Sequence, residues 1–183
     1  MTHPRSATAP RRAPRLALVA VVAVLLACSV SCALRFSRRP DTVQALRISE
    51  VVGEGDPARR ASNRLVLKGL DADSGGDPAR ALGIYEEALR VDATNPYAYL
   101  AIARHHAAGD DPAWALSFID KADSLLRAEG GPSPRVRPHL VGLRGQALYA
   151  SGEVNEGLPL LEEAWTAAPD VWTDGQLDAD ELR

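Results

Sequence analysis

The chain has 183 residues, 46% of them hydrophobic and 25% charged, with nine aromatic side chains, 31 Ala and two Cys. That length suits one domain with a real core, and so much Ala beside so few aromatic residues favours helices over sheet. Both Cys fall in the N-terminal apolar run, which excludes a disulfide-stapled fold and a Cys-based zinc site. Charge is unevenly divided. Residues 1–40 carry seven Arg and no acid, a net +7, whereas residues 41–183 carry a net −10. An acidic domain is poorly matched to a phosphate backbone, so nucleic acid is not an expected partner.

In chain order, residues 1–15 are polar and basic, with Arg5, Arg11, Arg12 and Arg15. Leu16 to Ala27 follows as twelve uninterrupted apolar residues, the layout of a bacterial export signal. The run ends in Leu25-Leu26-Ala27-Cys28, which resembles the lipobox of bacterial lipoproteins. The resemblance implies that Cys28 is acylated and becomes the mature N-terminus, with Cys32, after Ser29-Val30-Ser31, as the alternative. Leu26 is bulkier than that pattern usually holds. A second reading stays open: Leu16 to Leu34 is free of charge throughout, and its length is about that of a membrane-crossing helix. Either way residues 1–34 tether the chain to a membrane, with the body expected in the periplasm. Residues 35–55 read as a linker. Within it Thr42 to Val52 is expected to form one short helix, with Val43, Leu46, Val51 and Val52 on its apolar side.

The body repeats. Asp77-Pro78-Ala79-Arg80-Ala81-Leu82 recurs as Asp111-Pro112-Ala113-Trp114-Ala115-Leu116, at a spacing of 34. Small residues recur at three further places: Gly69, Ala103 and Gly145; Ala81, Ala115 and Gly157; Ala88, Ala122 and Ala164. The large residue between the last two sets is Tyr85, Ile119 or Leu161. The interval from Ala122 to Ala164 is longer by eight than that from Ala88 to Ala122. The insertion lies near Ala128 to Arg135, where Gly130-Gly131-Pro132 marks a loop. Asp77, Asn95 and Asp111 each stand before Pro, a capping residue ahead of the first helical position.

This pattern resembles the tetratricopeptide repeat (TPR) family, whose unit is a helix–turn–helix of the same period. The resemblance covers about residues 61–169. It implies an all-α chain, a short α-solenoid of about three TPR units (62–95, 96–129 and 138–169) within a domain spanning 56–169. Pro159 falls inside the last helix, and Lys68 and Arg144 take a slot that is usually apolar. Asp56-Pro57 can start the first helix ahead of Ser62.

No residue cluster with catalytic spacing stands out. His105 and His106 are adjacent on a helix and do not converge on one metal, and His106 fills an aromatic slot of the repeat. No HExxH, CxxC or Walker-type loop is present in the sequence. The acidic tail from Asp174 to Glu181 lacks the spacing of an EF-hand loop. Neither a metal, a cofactor nor an enzymatic activity is therefore expected.

TPR arrays bind other chains on a concave face lined by their first helices. By that resemblance the protein-binding groove is expected at Asn63, Val66, Leu70, Tyr97, Leu100, Arg104, His139, Gln146 and Tyr149. The family's carboxylate clamps use several Lys, Arg and Asn there, whereas this chain offers one Arg and one Asn, so that function is not expected. The expected role is an envelope-tethered adaptor or scaffold, an accessory to assembly or export machinery, with a protein partner. A homo-oligomer stacked through repeat ends and a non-catalytic subunit of an envelope enzyme remain as alternatives. Residues 170–183 are too short for another pair of helices. They are expected to fold back over Leu160, Leu161 and Trp165, with Trp172 buried as a cap.

Overall fold

Proline sets where the helices begin. The computed structural model describes residues 42–109 and 111–183. The first long helix, α2 (Pro57–Ser74), and its successors α3 (Pro78–Val91), α4 (Pro96–Ala108) and α5 (Pro112–Ala128) each open on Pro, whose fixed φ suits the first turn. Asp56 accepts hydrogen bonds from the Ala58 and Arg59 amides, Asp77 from Arg80, and Asn95 from Tyr97. Asp111 makes no such side-chain bond, so the cap expected there is absent and Pro112 alone marks the start. As its Asp56-Pro57 start suggested, α2 begins ahead of Ser62.

After the loop at Gly130 and Gly131, both with φ above +100°, come α6 (Arg137–Ala150) and α7 (Val154–Ala167). Connections of three residues make α2/α3, α4/α5 and α6/α7 side-by-side pairs. Each new pair is laid on the one before: α4 touches both α2 and α3, and α6 touches both α4 and α5. Among the described residues there is no strand. Helix α7 runs on through Pro159, which lies on its exposed side.

Close approach within the pairs demands small residues. A Cβ added at Gly69 of α2 would lie 2.3 Å from the Tyr85 ring of α3. Gly145 of α6 and Gly157 of α7 face each other so closely that a Cβ on Gly157 would sit 2.7 Å from the Gly145 carbonyl oxygen. Ala81, Ala88, Ala103, Ala115, Ala122 and Ala164 are all fully buried.

The two ends of the described chain behave differently from the helix pairs. Thr42–Arg47 is not helical, contrary to the single helix expected over Thr42 to Val52; only Ile48–Val51 forms a turn of helix, α1. The reason is tertiary. The Val43 amide donates to the Ala167 carbonyl at 2.8 Å and the Leu46 amide to the Arg135 carbonyl at 3.0 Å, bonds that an extended strap makes and a helix forgoes. At the other end, residues 168–183 close with a short helix, α8 (Ala179–Leu182), started by a reciprocal Asp178–Glu181 capping box. Among the described residues no helix is long and apolar enough to cross a membrane, and the Leu16–Leu34 run with Cys28 and Cys32 lies outside the described residues.

The packing sets a test. Ala81→Leu and Ala115→Leu each force methylenes into a closed contact and are expected to destabilise by about 1–3 kcal/mol in chemical denaturation. Gly83 is exposed inside α3 with open space around its missing Cβ, so Gly83→Ala should instead stabilise by about 0.5–1 kcal/mol.

Candidate functional site

The residues expected to form a groove lie on α2, α4 and α6, the first helices of the three pairs. Most of those residues are not open to solvent. Asn63, Val66, Leu70, Leu100, Arg104 and His139 are all buried, and Tyr97 and Gln146 are half-buried. Only Tyr149, 51% exposed, has the accessibility expected of a groove residue. The other eight are covered wholly or in part in this structure.

The two ends of the described chain provide the cover. The N-terminal strap is tied to α2 by the Asn63 side-chain amide, which donates to the Val51 carbonyl at 3.0 Å, and to α6 by His139, whose Nε2–H donates to the Leu46 carbonyl at 2.8 Å. The C-terminal tail places Trp172 against α6, where Gly142 leaves a cradle: a Cβ there would lie 2.3 Å from the indole ring. It then carries α8 onto α2 and α4. Ser74 donates to Asp180 at 2.8 Å, and Arg183 pairs with Asp71 at 2.7 Å. Strap and tail also meet, the Ser49 amide donating to the Arg183 carbonyl. Trp172 is 1% exposed, as expected of a buried side chain. It packs on Gly142 of α6, while Trp165 remains 51% exposed.

Two polar clusters lie within this region. Asp73 of α2 accepts from the Tyr85 hydroxyl at 2.9 Å, from His105 Nδ1–H at 3.0 Å and from the Arg104 guanidinium. Burial opposes ionisation of Asp73, but the His105 bond, the Arg104 charge and the Tyr85 bond prevail and hold its carboxyl below the usual range. Burial, joined by the neighbouring Asp73 charge, pushes the Tyr85 phenol upward. One carboxylate thus ties α2, α3 and α4 together. Below it, Asn95 donates from one amide to Ser62 and Asn63, each at 2.8 Å, and Ser62 donates to the Ala88 carbonyl. His106 stacks flat on Phe118, ring centroids 5.4 Å apart. Among the described residues no three His, Cys, Asp or Glu side chains are grouped to hold a metal ion.

Gln146 and Tyr149 belong to a second feature. With Ala107, Leu158, Leu161 and Asp174 they line a groove of about 400 Å³ at the end where α7 has no successor. Sequence reasoning missed the part played by the strap, and the buried Ser62–Asn95 pair. The apolar spacing of Trp172, Leu177 and Leu182 did signal a folded-back tail, but gave no indication of which face receives it.

Comparison of the chain with protein-family models, curated proteins and solved structures finds no match. The functional reading rests on the residues described above.

His139 supplies a pH test. Burial lowers its pKa to about 4, against the opposing influence of the hydrogen bond to Leu46, whereas an unfolded His titrates near about 6.5. Between those values the unfolded state holds the extra proton, so stability falls as pH drops from about 6.5 toward 4, by up to about 1.4 kcal/mol per pH unit. His139→Gln, which keeps a donor for Leu46, is expected to flatten that slope in denaturation curves taken across the window.

Proposed function

We propose that the chain is a TPR-type adaptor, a short α-solenoid of three units tethered to a bacterial envelope, which binds other proteins and carries no chemistry of its own. The recurrence at a spacing of 34, the Gly and Ala positions that let paired helices meet, and the laying of each pair on the last support the repeat reading. The observation that carries the binding function is the occupied inner face. Residues 171–182 lie along α6, α4 and α2 as a bound peptide would, with Trp172 as an aromatic anchor in a Gly-lined cradle and α8 as a helical foot. A surface that takes an apolar, acidic segment of its own chain has the shape and chemistry to take one from another.

Tethering is proposed through Cys28 in the Leu25-Leu26-Ala27-Cys28 sequence, with Cys32 or an uncleaved apolar helix as the competing means. Several acyl chains give stable anchoring at about 0.8 kcal/mol per buried methylene.

Removing residues 170–183 from the full chain should lower the melting temperature by about 5 °C or more, since a Trp truncation alone costs about 3 kcal/mol. A synthetic peptide of those residues, added in trans, should bind the shortened chain and restore the melt, while the same peptide with Trp172→Ala should not. No rebinding of the intact peptide would end the reading of the inner face as a peptide groove.

For the anchor, Cys28→Ser should remove the acyl mass from membrane-extracted protein and block cleavage. Persistence of that mass would move the modification to Cys32.

A further inference from the structure

We propose that the open face of α7 at Leu158, Leu161 and Trp165, with Tyr149 of α6 beside it, is the docking seat for a basic amphipathic helix of a partner protein. This deepens the adaptor reading and rests on it.

Equivalent positions in the three pairs carry the argument. Leu82 of α3 and Leu116 of α5 are half-buried, whereas Leu158 of α7 is 50% exposed. Tyr85 and Ile119 are fully buried, but Leu161 at the same place is only half-buried. Leu89 and Asp123 are half-buried, against 51% exposure for Trp165. In the first two pairs a following helix provides the cover. Asp73 takes Arg104 and His105 from α4, and the Ala107 carbonyl accepts from Gln146 of α6 at 3.4 Å. Tyr149 holds the corresponding place in α6, and among the described residues no further helix is laid on α7 there, since α8 is carried onto α2 and α4. Val154, Leu158, Leu161 and Trp165 stand at i, i+4, i+7 and i+11, a single apolar stripe of the kind a helix packs upon. The vacant position has the form of one more helix.

Charge selects the occupant. From Gly145 to Leu182 the chain carries nine carboxylates and no Lys, Arg or His. Glu162 is exposed on α7 within one turn of Leu158 and Trp165, and Asp174 lines the groove as well. Gln146, another lining residue, has a buried Oε1 without a donor. An apolar stripe flanked by carboxylates and a free acceptor matches a helix with apolar residues at its centre and Lys or Arg on its flanks. A second copy fits poorly. The helix that would continue the stack is α2, and it presents exposed Arg64 and Lys68 where α4 presents buried Ala98 and Ile102. Seating it would bury two charged side chains against the apolar stripe. Pairing α7 with α7 would set carboxylates against carboxylates.

The test uses the full chain in nanodiscs of neutral lipid and two synthetic helices. One has Leu at i, i+4, i+7 and i+11 with Lys and Arg on both flanks; the other has Glu at every flanking position. The basic helix should bind at least tenfold more tightly than its acidic counterpart and weaken as salt rises. Photo-cross-links from it should map to residues 149–165. Leu158→Ala and Trp165→Ala, both at exposed positions, should each weaken it about tenfold. Trp114→Ala, which removes an exposed Trp from α5, should leave binding unchanged. Equal binding of the two helices, indifference to Leu158→Ala and Trp165→Ala, or a full-chain dimer in light scattering that Trp165→Ala dissociates would overturn the proposal. Failure of the basic helix to bind, with residues 170–183 still rebinding the shortened chain, would fell this seat and leave the adaptor reading intact. Failure of both would fell the two together.

Discussion

Close approach between paired helices is the constraint on which the rest of the molecule depends. Backbones that meet where Gly145 faces Gly157, or where Gly69 admits the Tyr85 ring, leave no room for a side chain between them. The reward is dispersion contact over the whole length of each pair with little side-chain entropy lost, since Gly and Ala have none to lose. Tight pairs in turn fix the platform that each pair offers the next. Arg104 and His105 reach Asp73, and Gln146 reaches the Ala107 carbonyl, only because α4 and α6 are set into the notch between the helices before them.

Stacked pairs leave an inner face, and here that face contains polar groups that water does not reach. Asn63 and His139 are both fully buried, and each finds its acceptor in the backbone of the strap. A buried donor left without an acceptor costs about 1–3 kcal/mol, so the strap satisfies the inner face as well as covering it. The same reasoning explains why the strap stays extended. Its amides bond to Ala167 and Arg135, partners that an isolated helix over Thr42 to Val52 would not meet. Strap and tail then brace each other through Ser49 and Arg183, so both chain ends are committed to one surface.

That commitment shapes the far end of the molecule. With Trp172 drawn onto Gly142, the tail borders the groove at Asp174 but leaves Leu158 and Trp165 about half exposed. Helix α2 has a polar outer side, with Arg64 and Lys68 exposed, whereas α7 has an apolar one. The two ends are therefore not interchangeable, and an apolar stripe bounded by carboxylates is the surface feature that most separates this chain from a self-contained bundle.

The helices, their starts and their pairing were legible in the sequence. Pro after Asp or Asn fixes a first turn locally, and a Gly or Ala that recurs once per repeat records a contact within a single unit. The loop at Gly130-Gly131 and the folded-back tail were legible for similar reasons, one from residues that favour turns and the other from three large apolar residues in a segment too short to bury them alone. The occupancy of the inner face was not. Whether Val66, Leu70 or Leu100 is exposed depends on segments distant in the chain, and no local pattern encodes which of two apolar surfaces a tail with Trp172, Leu177 and Leu182 will choose. Periodicity reports what a residue faces within its own pair. The strap, the Gly142 cradle and the open stripe of α7 follow from how distant parts of the chain compete for the same buried surface, which only the tertiary structure decides.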